Sequence, residues 1–120
     1  ENCNKASGYP DAFTMLSALS GKVHTVYTGC CLRMAEGSES FLSAAEVEFY
    51  PLSPEEIQAY IETGEPMDKA GAYGIQGKGC VLVKAIRGDY FTIVGLPVAE
   101  VIRRVRRLEA EGLSPVHISR

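Results

Sequence analysis

The sequence predicts an α/β fold, with helices flanking a mixed, twisted sheet built partly from β-hairpins. Three observations point there. Apolar residues recur at helical spacing in two stretches, near residues 10–20 and 97–111, and a third helix carries a capping signature at Ser53. Between them lie runs rich in β-branched and aromatic residues, as strands require. The composition, 46% hydrophobic and 22% charged, suits a chain that buries a core, and 120 residues suffice for one modest domain.

The elements follow in order. Pro10 and Asp11 suit a helix start; Ala12, Phe13, Leu16 and Leu19 share one face, and Gly21 is a natural stop. KVHTVYTGCCLRM, residues 22–34, reads as a strand. AEGSES at 35–40 reads as a turn. Residues 42–50 read as a second strand, with Ala45, Val47 and Phe49 on one face and Glu46 and Glu48 on the other, completing a hairpin. Ser53, Pro54 and Glu56 form a Ser-x-x-Glu start, Ile57, Tyr60 and Ile61 the buried stripe, and Gly64 the end.

CVLVKAI, 80–86, is almost continuously apolar, which predicts a central strand buried on both faces. RGD at 87–89 reads as a turn and YFTIVG, 90–95, as the partner strand of a second hairpin. Pro97 starts the last helix, whose stripe is Val98, Val101, Ile102, Val105 and Leu108; Arg103, Arg104, Arg106 and Arg107 occupy the other face as solvated charges. Gly112 closes it, and LSPVHISR reads as a loose tail.

Several function classes recede. The formal charge of −3 provides no basic field, so nucleic acid is not an expected partner. No apolar run approaches the roughly 20 residues of a membrane helix. Cys3, Cys30, Cys31 and Cys80 show neither a CxxC nor a Cys/His zinc pattern, which fits free thiols in a reducing cytosol. His24 and His117 have no evident metal partner in the sequence. The chain opens on Glu1 rather than Met, as a fragment or processed form would.

The stretch that stands out is Gly64–Gly79, GEPMDKAGAYGIQGKG, with charges among five glycines and an amide, Gln76. Glycines permit positive φ and close backbone approach to a ligand, and polar loops on rigid scaffolds concentrate binding residues. The other reading is a structural crossover with solvated charges.

DKAGAYGIQG, residues 68–77, resembles the signature of the Maf family of nucleoside triphosphate pyrophosphatases. The resemblance runs back through LSPEEIQAYIETGEP and on through RGDYFTIVGLP, covering residues 52–97, and includes the Ser20–Gly29 run with His24 and the DAFTMLSALSG stretch. It implies a Maf/ITPase-like fold and cleavage of a nucleoside triphosphate between its α and β phosphates, giving the monophosphate and pyrophosphate. That chemistry needs cationic groups around the phosphates, a divalent metal, Mg or Mn, and a carboxylate that activates water.

The family's phosphate-binding Ser and Arg and its Asp-Thr pair have no counterpart in these residues. The chain therefore resembles the C-terminal portion of a Maf domain, a single partial domain over 1–120. Alone it is not expected to hydrolyse nucleotides at a family-like rate. Counting back without a gap places Lys5 on the lysine of the family's Lys-Pro pair, with Ala6 where the proline stands; a solvated terminal lysine is the other reading.

Gln76 corresponds to the family glutamine associated with substrate choice. The resemblance implies dTTP and UTP, including modified uridine nucleotides, as substrates. An amide can read a base edge through a donor and an acceptor; it can equally satisfy loop backbone. Lys69 can balance phosphate charge and Asp68 can orient it or help hold metal, or the two can form a local ion pair. The family further implies a cytoplasmic protein, a homodimer and a link to septum formation. A different class stays open: a nucleotide-binding or regulatory module without catalysis.

Overall fold

The computed structural model describes residues 9–68 and 73–120. Its elements are α1 (Tyr9–Leu19), β1 (Val23–Met34), β2 (Gly37–Phe49), α2 (Pro54–Ile61), a 3₁₀ turn at Glu65–Asp68, a second at Lys78–Leu82, β3 (Val83–Arg87), α3 (Tyr90–Val94), α4 (Val98–Ala110) and β4 (His117–Ser119). The strands form an open antiparallel sheet in the order β3-β2-β1-β4. The α/β class with hairpin-built sheet and flanking helices stands. Two compact units divide the chain, one from the residues up to Thr25 together with Glu46–Ile86, the other from Val26–Ala45 with Arg87–Arg120.

In the first unit α1 packs against α2. Ala12, Leu16, Val47, Phe49, Ile57, Tyr60, Ile61 and Leu82 form its buried apolar set. Gly21, at φ 68°, lets the chain leave α1 in the left-handed region, and its N–H donates to the Tyr50 carbonyl at 3.1 Å. Ser53 caps α2 as expected, its hydroxyl accepting from Glu56 N–H at 3.1 Å. The alternation in β2 holds: Ser43, Ala45, Val47 and Phe49 are buried, and Glu46 and Glu48 are not.

In the second unit Cys30, Leu32, Val101 and Leu108 form a core flanked by Met34, Phe41, Val105 and Leu113. Within the α4 stripe Val98 and Ile102 remain exposed, so the helix seats on a narrower strip than its sequence suggests.

Five sequence expectations are corrected. The turn after β1 is only Ala35–Glu36, and β2 begins at Gly37. Cys80–Leu82 is 3₁₀ rather than strand, and β3 is an exposed edge strand, not a central one; of the apolar run, Leu82 alone is buried. A short apolar run does not reveal its own period, and the backbone before Val83 is captured by a side chain described below.

YFTIV forms helix α3 instead of a hairpin strand. Asp89 caps it, accepting from Phe91 N–H at 2.9 Å, and Gly95, at φ 124°, ends it. Thr92 is fully buried there, its hydroxyl 2.8 Å from that of Ser43, while Thr28 Oγ1 donates to its carbonyl at 2.8 Å. Those contacts and the cap outweigh a strand propensity worth only about 1 kcal/mol.

The tail is not loose: His117–Ser119 pairs antiparallel with β1, Leu32 opposite Ile118, and Val116 N–H donates to the Arg33 carbonyl at 2.8 Å.

The arginine face is also only partly solvated. Glu39 of β2 accepts from Arg104 at 2.9 Å and from Arg107 at 2.7 and 2.5 Å. Arg104 also bonds Glu100 at 2.9 Å and stacks 4.0 Å from the centre of the Phe41 ring. The Arg107 and Arg104 hydrogen bonds hold the Glu39 carboxyl below its ordinary value. A lowered carboxylate pKa adds stability above the unfolded-state pKa, and this is lost as pH falls through the folded-state value. Glu39→Gln should therefore flatten the acid limb of stability against pH. Denaturant melts at several acidic pH values check this; an unchanged acid limb would show that the pairing contributes nothing.

Candidate functional site

The Gly64–Gly79 stretch enters from α2, whose capping fixes its direction. Gly64 takes φ 80°, and Thr63 Oγ1 accepts from Glu65 N–H at 3.2 Å while donating to the Tyr60 carbonyl at 2.7 Å. This starts the 3₁₀ turn and sends the Glu65 carboxylate back over the loop.

The carboxylate is a hub. Its Oε1 accepts from the Tyr60 hydroxyl at 2.6 Å and from Gly79 N–H at 3.0 Å, and its Oε2 accepts from Lys78 N–H at 2.9 Å. The Tyr60 oxygen in turn accepts from Gly74 N–H at 2.9 Å. Burial first, and then the Glu65 hydrogen bond, push the Tyr60 phenol up from its ordinary value, so it stays the proton donor to the carboxylate. Gly77 N–H closes onto the Gly74 carbonyl at 3.1 Å. The segment 74–79 is thus held at both ends by one linked pair of side chains.

A second tie precedes it. The His24 Nε2 and Tyr73 hydroxyl lie 2.7 Å apart, and the His24, Phe49 and Tyr73 rings meet edge to face, with centroids 4.9–5.6 Å apart. His24, with no evident metal partner in the sequence, is a loop anchor.

Gly77 and Gly79 serve the chain itself. Gly77 and Gly79 do not have positive φ; a Cβ on Gly77 would run into the Glu65 carboxylate, and one on Gly79 would lie 2.7 Å from the Gly74 carbonyl oxygen and 2.9 Å from the Tyr60 hydroxyl. At these two positions the close approach is made by Glu65 and Tyr60.

Gln76 sits at the crest of the turn between these ties. It is exposed, and among the described residues its amide makes no hydrogen bond. Asp68 ends the first 3₁₀ turn, and its side chain lies outside the described residues, as do Lys69 and Lys5. Among the described residues no three His, Cys, Asp or Glu side chains gather closely enough to hold a metal ion. The Cys30 thiol is pushed up by burial, and Cys30, Cys31 and Cys80 are free. No helix among the described residues is long and apolar enough to cross a membrane.

In the other unit an open recess of about 500 Å³ is lined by Tyr27, Thr28, Gly29, Gly95 and Arg120. Arg120 donates there to the Gly95 carbonyl at 3.1 Å.

Sequence reasoning singled out Gln76 and missed the residues that hold it. Tyr60 was legible only as a stripe residue of α2, and Glu65 only as one loop charge. Their partners, Gly74, Lys78 and Gly79, lie 13 or 14 residues on in three of four bonds, and no local spacing rule reaches that far.

Comparison with known proteins finds relatives that match over most of this chain. The family described as Maf-like protein matches residues 2–108. The dTTP/UTP pyrophosphatase of Bacillus cytotoxicus is 49% identical over 100 residues, 83% of this chain and 52% of that protein. That of Bacillus velezensis is 53% identical over 96 residues, 80% of this chain and 51% of the relative. That of Bacillus pumilus is 51% identical over 105 residues, 88% and 54%. The chain spans about half the length of the curated relatives it matches. With the family's match extending over nearly the whole chain, this chain belongs to the Maf-like protein family.

Proposed function

We propose that the chain is the substrate-selecting part of a nucleoside triphosphate pyrophosphatase acting on dTTP, UTP or modified pyrimidine nucleotides. Water adds to the α phosphorus, the α–β anhydride bond breaks, and pyrophosphate leaves the monophosphate. The observation that carries this reading is Gln76: an exposed amide with no hydrogen bond among the described residues, on a turn tied at both ends, in a chain whose relatives are named dTTP/UTP pyrophosphatases. A fixed amide can offer one donor and one acceptor to a pyrimidine edge without the cost of ordering a mobile loop.

In the same reading Lys69 and Lys5 face phosphate, and Asp68 orients Lys69 or helps hold metal. A divalent cation, magnesium or manganese, neutralises triphosphate charge; because the described carboxylates form no ligand set, no step is assigned to it. The protein would act in the cytoplasm as a homodimer with a bearing on septum formation, on the strength of the family resemblance and its free thiols.

Pyrophosphate release from dTTP, UTP and dGTP by the natural full-length protein, with magnesium or manganese, is the test. Preferential release from the pyrimidine nucleotides is expected. Binding without release would leave a non-catalytic nucleotide-binding module, and no binding would overturn the reading. Gln76→Ala should lower kcat/KM for the preferred pyrimidine nucleotide by about ten- to a hundredfold, from a lost matched pair worth about 1–3 kcal/mol. The loss should be smaller for dGTP; equal losses for every nucleotide would remove Gln76 as selector.

A further inference from the structure

We infer that Glu65 and Tyr60 are positioning residues for substrate selection, acting as a clamp that holds the turn carrying Gln76. The inference rests on the reading of Gln76 as selector and names what that residue depends on.

The geometry is specific. The turn 74–79 would be free to flex if only its own backbone closed it, through the bond from Gly77 N–H to the Gly74 carbonyl. Instead Gly74 is bound by the Tyr60 hydroxyl, Lys78 and Gly79 are bound by the two Glu65 oxygens, and Tyr60 and Glu65 are bonded to each other. Tyr60 belongs to α2 and is 5% exposed, so the clamp is anchored in the apolar core instead of in another loop. Gly77 and Gly79 leave the room that this carboxylate and phenol occupy.

Neither residue presents a free reactive group. The Glu65 oxygens accept from backbone N–H groups and the phenol is held protonated, so their contribution to a reaction runs through the position of Gln76.

Glu65→Gln keeps the size of the side chain but replaces one acceptor oxygen by an N–H donor. One of the Lys78 and Gly79 N–H groups, or the Tyr60 hydroxyl, then faces a donor. Tyr60→Phe keeps the buried ring and removes the acceptor for Gly74 N–H. The two variants attack opposite ends of the clamp with little change of volume, so one remains informative if the other folds poorly.

Two measurements on the full-length protein separate the clamp from the selector. The first is amide hydrogen exchange: Lys78 and Gly79 in Glu65→Gln, and Gly74 in Tyr60→Phe, should exchange at least about tenfold faster, while amides of β1 and β2 keep their protection. Unchanged exchange at these amides would overturn the clamp whatever the kinetics show. The second is the ratio of kcat/KM for dTTP or UTP to that for dGTP. Each variant should lower this ratio about tenfold, mainly through KM, and lower it little further in a Gln76→Ala background.

Equal loss for all nucleotides, or full additivity with Gln76→Ala, would reduce Glu65 and Tyr60 to fold stability and overturn the inference. If Gln76→Ala itself leaves the ratio unchanged while exchange accelerates as expected, the selector reading fails and the clamp geometry stands.

Discussion

Gly79→Ala is expected to disable the loop, although alanine fits the backbone angles there. The obstacle is space. A methyl group would lie 2.7 Å from the Gly74 carbonyl oxygen, 2.9 Å from the Gly74 nitrogen and 2.9 Å from the Tyr60 hydroxyl. Two of those neighbours are backbone, and the third is a buried phenol bonded on both sides, so none gives way cheaply. Overpacking of this kind costs about 1–3 kcal/mol, and here relief also requires breaking the bond from Gly79 N–H to Glu65 or that from Gly74 N–H to Tyr60. A combined loss of about 2–4 kcal/mol is expected, and, on the proposed function, a loss of pyrimidine selectivity in the full-length protein as the turn is displaced. Chemical denaturation and the dTTP-to-dGTP ratio of kcat/KM check this together. A stability within about 0.5 kcal/mol of wild type would mean that the loop repacks freely around the methyl group.

Phe49→Ala should have the largest effect on stability. Phe49 is 1% exposed at the end of β2 and lies edge-on to both His24 and Tyr73, with centroids 5.3 and 4.9 Å away. Truncating a buried phenylalanine costs about 3–5 kcal/mol through lost transfer energy and a residual cavity. Its aromatic contacts are of a kind worth about 0.5–1.5 kcal/mol per pair beyond burial. The cavity opens beside the His24–Tyr73 tie, so the loop should loosen from its entry side as well. Phe49→Leu, which retains most of the volume, should lose less than half as much. A fall in the urea midpoint at constant m-value is the expected signature. If Phe49→Ala costs less than about 1 kcal/mol, the ring cluster does not support the loop.

These predictions concern the side chains least visible in the sequence. Gln76 stood out because its immediate neighbours are unusual, and α2 because Ser53, Pro54 and Glu56 lie within four residues of one another. Strand β2 was recognisable because its burial alternates residue by residue. The failures share one cause. YFTIV has strand composition, but Asp89, Gly95 and the hydroxyls of Ser43 and Thr28, which bond Thr92, make it a helix. CVLVKAI has the run of a central strand, but Lys78 and Gly79 are drawn to Glu65 and strand begins only at Val83.

By itself the sequence determined what short-range rules can carry. It set the helix with the Ser53 cap, the faces of β2, the stops at Gly21 and Gly64, and the family resemblance centred on DKAGAYGIQG. The tertiary structure alone decided that β3 is an edge, that His117–Ser119 pairs with β1, and that Glu39 engages two of the four arginines on α4. It also decided that Tyr60 and Glu65 grip the turn bearing Gln76. Capping and alternation act between residues a few positions apart, whereas buried carboxylates, phenols and amide N–H groups must find partners wherever the fold brings them close.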